Sequence, residues 1–162
     1  MEWHYLDTML QGGRVLTVNI ASLEYVDLQS RRGNGDATQM WRIKVCFHLS
    51  FSSRITSHLM SSIQENGCLE NQAKPGCCLE VDRKSSGSPV YMRTANGQAN
   101  QRWTPEITLG VGYLRSELTV GFVTHLSLDI ARADVPLIID HVGPDVKVRD
   151  FIQSQTWRLT KN

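Results

Sequence analysis

Few residues of this chain are arranged in a way that could catalyse a reaction. The most suggestive pair is Asp140–His141, because a carboxylate beside an imidazole can orient a general base. Adjacent residues of an extended strand point to opposite faces of the sheet, however, so we expect this pair to be structural. The short motifs of serine hydrolases, P-loop nucleotide-binding proteins and zinc peptidases do not occur. We therefore predict no catalytic residue and no enzymatic activity.

The cysteines are poorly spaced for a metal site. Cys46 lies within a long predicted strand, whereas Cys68, Cys77 and Cys78 fall in a stretch interrupted by Gly and Pro, without Cys-x-x-Cys spacing. Thiols clustered in a loop need no metal in a reducing compartment. We predict neither a metal nor a cofactor.

The charges are balanced over the whole chain but not locally. The 17 Lys and Arg residues against 16 Asp and Glu leave a formal net charge of +1, so the molecule is not a polycation. Cations without nearby acidic residues in the sequence could still form a patch that contacts phosphate, in lipid headgroups or in ribonucleoprotein. The candidates are Arg42, Lys44, Arg54, Arg83, Lys84, Arg93 and Arg102. An ordinary solvated sheet face remains the alternative.

The four tryptophans divide into two groups by their surroundings. Trp41 and Trp157 lie in patterned apolar segments and are predicted to be core residues. Trp3 and Trp103 stand in polar sequence. Together with Tyr5 they are predicted to contact another copy of the chain, and a membrane interface is the alternative for Trp3 and Trp103.

The spacing of apolar residues predicts the strands that would hold these side chains. Trp41 to Phe51 alternates strictly between apolar and polar residues, which is typical of a half-buried antiparallel strand. A strand over 14–20 is its expected neighbour. Residues 107–113 and 118–128 predict a long hairpin with its turn at 114–116.

One segment has the periodicity of a helix. Ile55, Leu59 and Ile63 recur four residues apart, Ser53 could cap the first turn, and Gly67 could end the helix. We predict a helix of about three turns here, with its apolar stripe packed on the sheet.

At 162 residues the chain can form one domain with its own core, and no internal repeat or dividing linker is evident. We predict a single α+β domain over 1–162, with a twisted, mostly antiparallel sheet and a few helices packed on one side. Residues 1–13 are predicted to be a flexible or partner-contacting segment. Residues 67–104 are predicted to be a loop-rich middle, with short strands at 77–81 and 90–93.

The first residues lack the basic flank and apolar stretch of a signal peptide. No apolar run is long enough to cross a bilayer. We therefore expect the protein to be made and kept in the cytosol.

The order of these elements resembles the globular domain of rhabdovirus matrix proteins. The resemblance covers roughly 41–151, and its closest local match is Pro-Leu-Ile-Ile-Asp-His at 136–141, followed by Val-Arg-Asp-Phe at 148–151. The short chain favours a plant-infecting rhabdovirus. The chain departs from the vesiculovirus pattern, because it lacks a Lys-rich N-terminal arm and a Pro-Pro-x-Tyr motif.

The resemblance implies a viral structural protein that self-associates, condenses the ribonucleoprotein and bridges it to the inner face of the envelope. Its partners would be other copies of itself, the nucleocapsid, the anionic inner leaflet and the viral glycoprotein tail. It would lie in the virion beneath the envelope, at membranes in the host cytoplasm, and in the nucleus.

Two alternatives stay open. One is a host-directed RNA-binding or interaction protein, such as an effector or silencing suppressor. The other is a small ligand-binding α+β enzyme with a pocket lined by Cys46, His48 and His125.

Overall fold

In the computed structural model of this chain, the described residues form twelve short β-strands. The strands are β1 His4–Thr8, β2 Arg14–Val18, β3 Val26–Ser30, β4 Trp41–Val45, β5 Gly67–Asn71, β6 Cys77–Val81, β7 Val90–Thr94, β8 Arg102–Thr108, β9 Val111–Val120, β10 Thr124–Asp129, β11 Ile138–Val142 and β12 Trp157–Lys161. Two 3-10 turns, Ala37–Gln39 and Ala99–Gln101, precede β4 and β8. The structure describes residues 2–9, 13–19, 21–22, 24–45, 67–83, 87–108, 111–120, 124–129, 138–142 and 156–161.

Six of the strands form a closed ring in which all neighbours are antiparallel. β1 pairs with β4, β4 with β5, and β5 with β8. β8 then pairs with β9, β9 with β12, and β12 returns to β1. Closing a sheet in this way removes its free edges, so the ring is a six-stranded barrel.

The other six strands form three hairpins, β2–β3, β6–β7 and β10–β11. The first strand of each hairpin also pairs with the barrel strand that precedes it. The chain therefore repeats one four-stranded unit three times, as β1–β4, β5–β8 and β9–β12, which we call the first, second and third repeats. Three such units around a six-stranded barrel make a β-trefoil fold.

Three tryptophans from corresponding positions fill the core. Trp41, Trp103 and Trp157 each stand at or next to the start of the last strand of a repeat, and all three are fully buried. An aromatic side chain of this kind buries roughly 150–250 Å² of surface, so these residues dominate the apolar contribution to stability. The aliphatic part of the core comes from Leu6, Leu16, Val18, Val26, Leu69, Leu79, Val81, Val90 and Leu114.

The predicted α+β class is wrong. The described residues contain strands and 3-10 turns but no α-helix, so there is no layer of helices against a sheet in this part of the chain. The helix predicted over 55–63 lies outside the described residues. The long strand predicted from Trp41 does begin at Trp41 and is described as far as Val45.

The predicted turn at 114–116 is also wrong, because these residues lie in the middle of β9. Leu114 and Ser116 are buried there, and Arg115 forms a cross-strand ion pair of 2.8 Å with Glu106. Polar residues that look like a turn in the sequence are thus accommodated within a strand by a partner on β8.

The middle of the chain contains more regular structure than predicted. The short strands predicted at 77–81 and 90–93 are confirmed as β6 and β7, and β5 and the start of β8 flank them. Cys68 and Cys78 form a disulfide between β5 and β6, contrary to the expectation of reduced thiols, and Cys77 is free. Residues 4–8 of the predicted flexible N-terminal segment form barrel strand β1.

Candidate functional site

A three-residue motif, Gln-x-Trp, marks the same place in each repeat. It occurs at 39–41, 101–103 and 155–157, and its tryptophans are the three core tryptophans. In the first two repeats the glutamine is the last residue of a 3-10 turn, whereas Gln155 lies outside the described residues. The expectation of no internal repeat was therefore wrong, although this motif could have revealed the repeat.

Gln39 holds the chain directly after the hairpin of the first repeat. Its side chain is fully buried, Nε2 donates to the carbonyl of Ser30 at 3.0 Å, and Oε1 accepts from the backbone N–H of Arg32 at 2.7 Å. Nε2 also donates to the Thr17 hydroxyl at 3.2 Å. A buried amide is stabilising only when its polar atoms are paired in this way.

Gln101 repeats this arrangement in the second repeat with one change. Its Nε2 donates to the carbonyl of Thr94 at 2.9 Å, and its Oε1 accepts from the N–H of Asn96 at 2.7 Å. The position of the threonine hydroxyl is now taken by a carboxylate, because Nε2 donates to Glu80 Oε2 at 2.7 Å. The second repeat therefore holds a fixed anionic group where the first holds a hydroxyl.

Glu80 keeps part of its hydrogen-bonding capacity. Its Oε2 also accepts from Asn96 Nδ2 at 3.1 Å, and the residue is half-buried. A carboxylate can accept about four hydrogen bonds, so two amide donors orient the group without saturating it. Beside Gln101, the Oδ1 of Asn100 is a buried acceptor with no partner among the described residues.

Tyr91 adds an aromatic ring next to this carboxylate. It lies directly opposite Glu80 in the register of β6 and β7, so the two side chains share the outward face of the hairpin. At the corresponding place in the first repeat, Asp27 lies opposite Thr17, and the pairing of a held carboxylate with a ring is lost. Of these two repeats, only the second places a carboxylate held by the Gln-x-Trp glutamine opposite an aromatic residue.

The cations near this site are neutralised. Arg93 stacks on Tyr91, with its guanidinium carbon 5.3 Å from the ring centroid, and pairs with Glu24 at 2.8 Å. Arg83 pairs with Asp82 at 3.3 Å. Lys74 Nζ also donates to the carbonyl of Met92 at 3.4 Å, so acidic and basic groups are about balanced here, and this face is better suited to a neutral hydroxylated ligand than to phosphate.

The other cations of the predicted basic patch are distributed over the fold. Arg42 lies 2.6 Å from Glu70, and Arg102 lies 3.0 Å from Glu117 without an aligned hydrogen bond. Their carboxylate partners come from neighbouring strands far away in the sequence, which is why these cations looked unpaired. Lys44 is exposed opposite Cys68 on β5, whereas Arg54 and Lys84 lie outside the described residues. Phosphate contacts by this set stay a prediction.

The Arg42–Glu70 pair is nearly buried on the carboxylate side. Burial raises the pKa of Glu70, but the N–H of Gly76 at 3.1 Å and the guanidinium of Arg42 outweigh it. The pKa of Glu70 is therefore lowered from its ordinary value of 4.5.

Two of the three residues predicted to mediate self-association are fully buried. Trp103 donates from its indole nitrogen to the carbonyl of Leu79, and the hydroxyl of Tyr5 donates to the carbonyl of Arg32. Trp3 is partly buried beneath Arg42, whose guanidinium carbon lies 4.4 Å from a Trp3 ring centroid. Self-association itself stays a prediction, because a single chain does not test it.

A pocket of about 210 Å³ lies elsewhere, between β1, β4, β5 and β12. Its lining is Glu2, His4, Trp41, Arg42, Ile43, Leu69 and Leu159. The charged residues at this pocket are already paired, since Glu2 contacts Lys161 at 2.9 Å and Arg42 contacts Glu70. It therefore offers few free polar groups to a ligand. The pocket predicted from Cys46, His48 and His125 lies outside the side chains that the structure describes.

Within the described part of the chain, no three His, Cys, Asp or Glu side chains are grouped so that they could hold a metal ion. In the same residues, no helix has the length and apolar character needed to span a membrane.

Solved structures share this architecture at low sequence identity. ThreeFoil, a designed threefold-symmetric protein, matches with a TM-score of 0.66 and 19% identity, over 99% of each chain. A ricin B-like lectin from Macrolepiota procera, in complex with lactose, matches with a TM-score of 0.60 and 11% identity, over 99% of this chain and 96% of the lectin.

The same fold also occurs within a longer enzyme. An exo-β-1,3-galactanase from Clostridium thermocellum matches with a TM-score of 0.62 and 19% identity, over all of this chain but only 30% of the enzyme. No protein-family model and no curated protein matches the sequence. These likenesses show the β-trefoil fold, and a fold alone does not define an activity.

Proposed function

We propose that this protein binds carbohydrate on the outward face of the β6–β7 hairpin in the second repeat. The observation that carries the proposal is the carboxylate of Glu80, which is held by the amides of Gln101 and Asn96 and belongs to a residue directly opposite Tyr91 in the β6–β7 register. The fold supports it, because a lectin of the same architecture is known in complex with lactose.

The chemistry of this face matches a sugar. Neighbouring hydroxyls of a pyranose can donate hydrogen bonds to an oriented carboxylate such as that of Glu80. The C–H groups on the apolar side of the ring carry partial positive charge and are attracted to the electron-rich face of an aromatic ring such as Tyr91. A small number of fixed polar groups beside an aromatic surface is also the usual composition of ligand sites.

β-Galactosides are the first class to test. Lactose, the ligand in the lectin structure, is a galactoside, and the enzyme with this fold is named for galactan. A neutral sugar also agrees with the nearly balanced charge around Glu80.

The test is a calorimetric titration of the protein with lactose, supported by retention on immobilised lactose. Glu80→Gln keeps the size of the side chain and one acceptor but loses the charge, so we expect lactose affinity to fall about tenfold or more. Glu106→Gln is the matched control, because it neutralises a carboxylate that pairs with Arg115 on β9. Equal affinity in Glu80→Gln and the native protein, or no binding to any of a panel of immobilised glycans, would contradict the proposal.

The matrix function implied by the rhabdovirus resemblance stays a separate prediction. It receives less support, because the fold differs from the expected one and four of the described candidate cations have carboxylate partners. Sedimentation with anionic liposomes at low and physiological salt tests it. Pelleting that disappears at physiological salt, with no ordered assembly, would count against it. Salt-dependent binding to RNA by the isolated protein would favour the alternative of a host-directed RNA-binding protein.

A further inference from the structure

We infer that Tyr25, contributed by the first repeat, extends the sugar site of the second repeat, so that it binds a galactoside of two or more rings better than a single ring. This inference rests on the proposed function of the site. Tyr25 is 50% exposed and is the one exposed large hydrophobic residue among those whose side chains the structure describes. Its ring contacts that of Tyr91, so the two form a contiguous aromatic surface rather than a single scattered apolar residue.

Tyr25 lies in line with the groups already assigned to the site. It forms an antiparallel bridge with Tyr91, and Tyr91 is opposite Glu80 on β6. Residues directly opposite each other in antiparallel pairing share a face, so Glu80, Tyr91 and Tyr25 form one row across three backbone segments. Adjacent segments are about 4.8 Å apart, so the row is roughly 10 Å long, which is the span of about two hexose rings.

The two tyrosine rings present different surfaces along this row. Their centroids are 5.6 Å apart and their planes meet at 73°, so they contact edge to face. Two rings in this geometry cannot both stack on one flat sugar, but each can pack against a different ring of a bent disaccharide. Glu24 and Arg93, which pair at 2.8 Å beside them and are both close to half exposed, offer an acceptor and donors to the second ring.

The segment that carries Tyr25 is held in place before any ligand binds. The Asn19 N–H donates to the Tyr25 carbonyl at 2.9 Å, and the Ser22 hydroxyl accepts from the N–H of Tyr25 at 3.3 Å. The Met92 N–H donates to the Glu24 carbonyl at 2.8 Å, which attaches the segment to β7. A backbone fixed in this way loses little conformational entropy on binding, which favours affinity.

The experiment compares methyl β-galactopyranoside with lactose and β-1,3-galactobiose by calorimetry, using the native protein, Tyr25→Ala, Tyr25→Phe and Glu80→Gln. Loss of one aromatic contact corresponds to about a tenfold loss of affinity. We expect Tyr25→Ala to weaken binding of at least one disaccharide by about five- to tenfold and leave binding of the monosaccharide within twofold. Tyr25→Phe should retain disaccharide binding, because the ring is kept, whereas Glu80→Gln should weaken every ligand.

The outcomes separate the two proposals. Suppose that the native protein binds these sugars through Glu80. If Tyr25→Ala then has unchanged affinity for both disaccharides, or loses affinity for the monosaccharide and the disaccharides equally, the inference about Tyr25 is overturned and the proposed function stands. If the native protein binds neither one ring nor two, both are overturned. If Tyr25→Ala unfolds at the same midpoint temperature as the native protein, any loss of affinity is local to the site. If its midpoint is lower, the comparison with Tyr25→Phe, which keeps the ring, decides whether the ring contributes to disaccharide binding.

Discussion

Trp41 and Trp103 make the same hydrogen bond in successive repeats. The indole nitrogen of Trp41 donates to the carbonyl of Leu16 at 2.8 Å, and that of Trp103 donates to the carbonyl of Leu79 at 2.9 Å. Leu16 and Leu79 are the third residues of β2 and β6, so in each case the last strand of a repeat is fastened to its hairpin. The tryptophan of the Gln-x-Trp motif is therefore a structural residue, and the groups proposed to contact a sugar lie on the opposite side of the hairpin.

Trp103→Phe should lower the free energy of unfolding by about 2 to 3 kcal/mol. The smaller ring leaves a cavity and deprives the buried carbonyl of Leu79 of its donor. Urea unfolding followed by circular dichroism measures the change. Trp3→Phe is the matched control, because Trp3 is only partly buried, and it should cost less than about 1 kcal/mol. Equal losses in the two variants would contradict the assigned role of Trp103.

Strand positions were partly predictable, because alternation of apolar residues is a local signal. Trp41 was correctly placed at the start of a strand, and β6 and β7 were correctly placed in a segment of poor signal. Which strands form the barrel was not predictable in this way, because it depends on pairing between strands that are distant in the sequence. The glutamines at 39, 101 and 155 carried that information, but a three-residue motif in widely separated copies is easily overlooked.

The candidate site was not predicted, for a physical reason. Arg93 was assigned to a phosphate-binding patch because no acidic residue lies near it in the sequence, yet Glu24 reaches it from the neighbouring repeat. Glu80 lies on β6 and Gln101 ends the 3-10 turn before β8, yet Gln101 Nε2 is 2.7 Å from Glu80 Oε2. Neither type of residue is unusual by itself. What distinguishes them is their pairing opposite Tyr91, and only the folded chain brings this about.

Replacing Cys68 and Cys78 together by serine should destabilise the protein by about 3 kcal/mol. The disulfide closes a loop with a sequence separation of 10, and the entropy of closing a loop of that length in the unfolded chain corresponds to roughly this value. Denaturation in the presence and absence of a reducing agent gives the same comparison in the native protein. Cys77→Ser is the control, since Cys77 is free, and reducing agent should still destabilise that variant. A native protein indifferent to reducing agent would contradict the predicted contribution of the disulfide.

Gly67→Ala should destabilise the barrel by about 1 to 3 kcal/mol, because there is no room for a methyl group. A Cβ at this position would lie 2.7 Å from both Ile43 Cγ2 and the carbonyl oxygen of Lys44. The backbone contact cannot be relieved by rotating a side chain, so β4 and β5 would have to separate. Gly33→Ala is the matched control, because a Cβ there meets nothing within 4 Å. Thermal unfolding should show a lower midpoint for Gly67→Ala than for Gly33→Ala, and identical midpoints would refute the steric argument.

Acid should weaken the fold in part through Glu70. The pKa of this carboxyl is held below its ordinary value of 4.5, so the folded state binds the proton less tightly than the unfolded state. The resulting stabilisation is fully present above about pH 4.5 and is lost as the pH falls through the lowered folded pKa.

Glu70→Gln should therefore cost about 1 to 2 kcal/mol near pH 7, and its deficit against the native protein should shrink on acidification. Arg42→Gln separates the two causes of the lowered pKa, because it removes the cation at 2.6 Å and leaves the Gly76 N–H in place. That variant should lose its Glu70-dependent stability at a higher pH than the native protein, since less holds the carboxylate in its charged form. Urea unfolding between about pH 3 and pH 8 measures all three proteins. A deficit of Glu70→Gln that stayed constant across this range would mean that the glutamate acts through packing rather than through its charge.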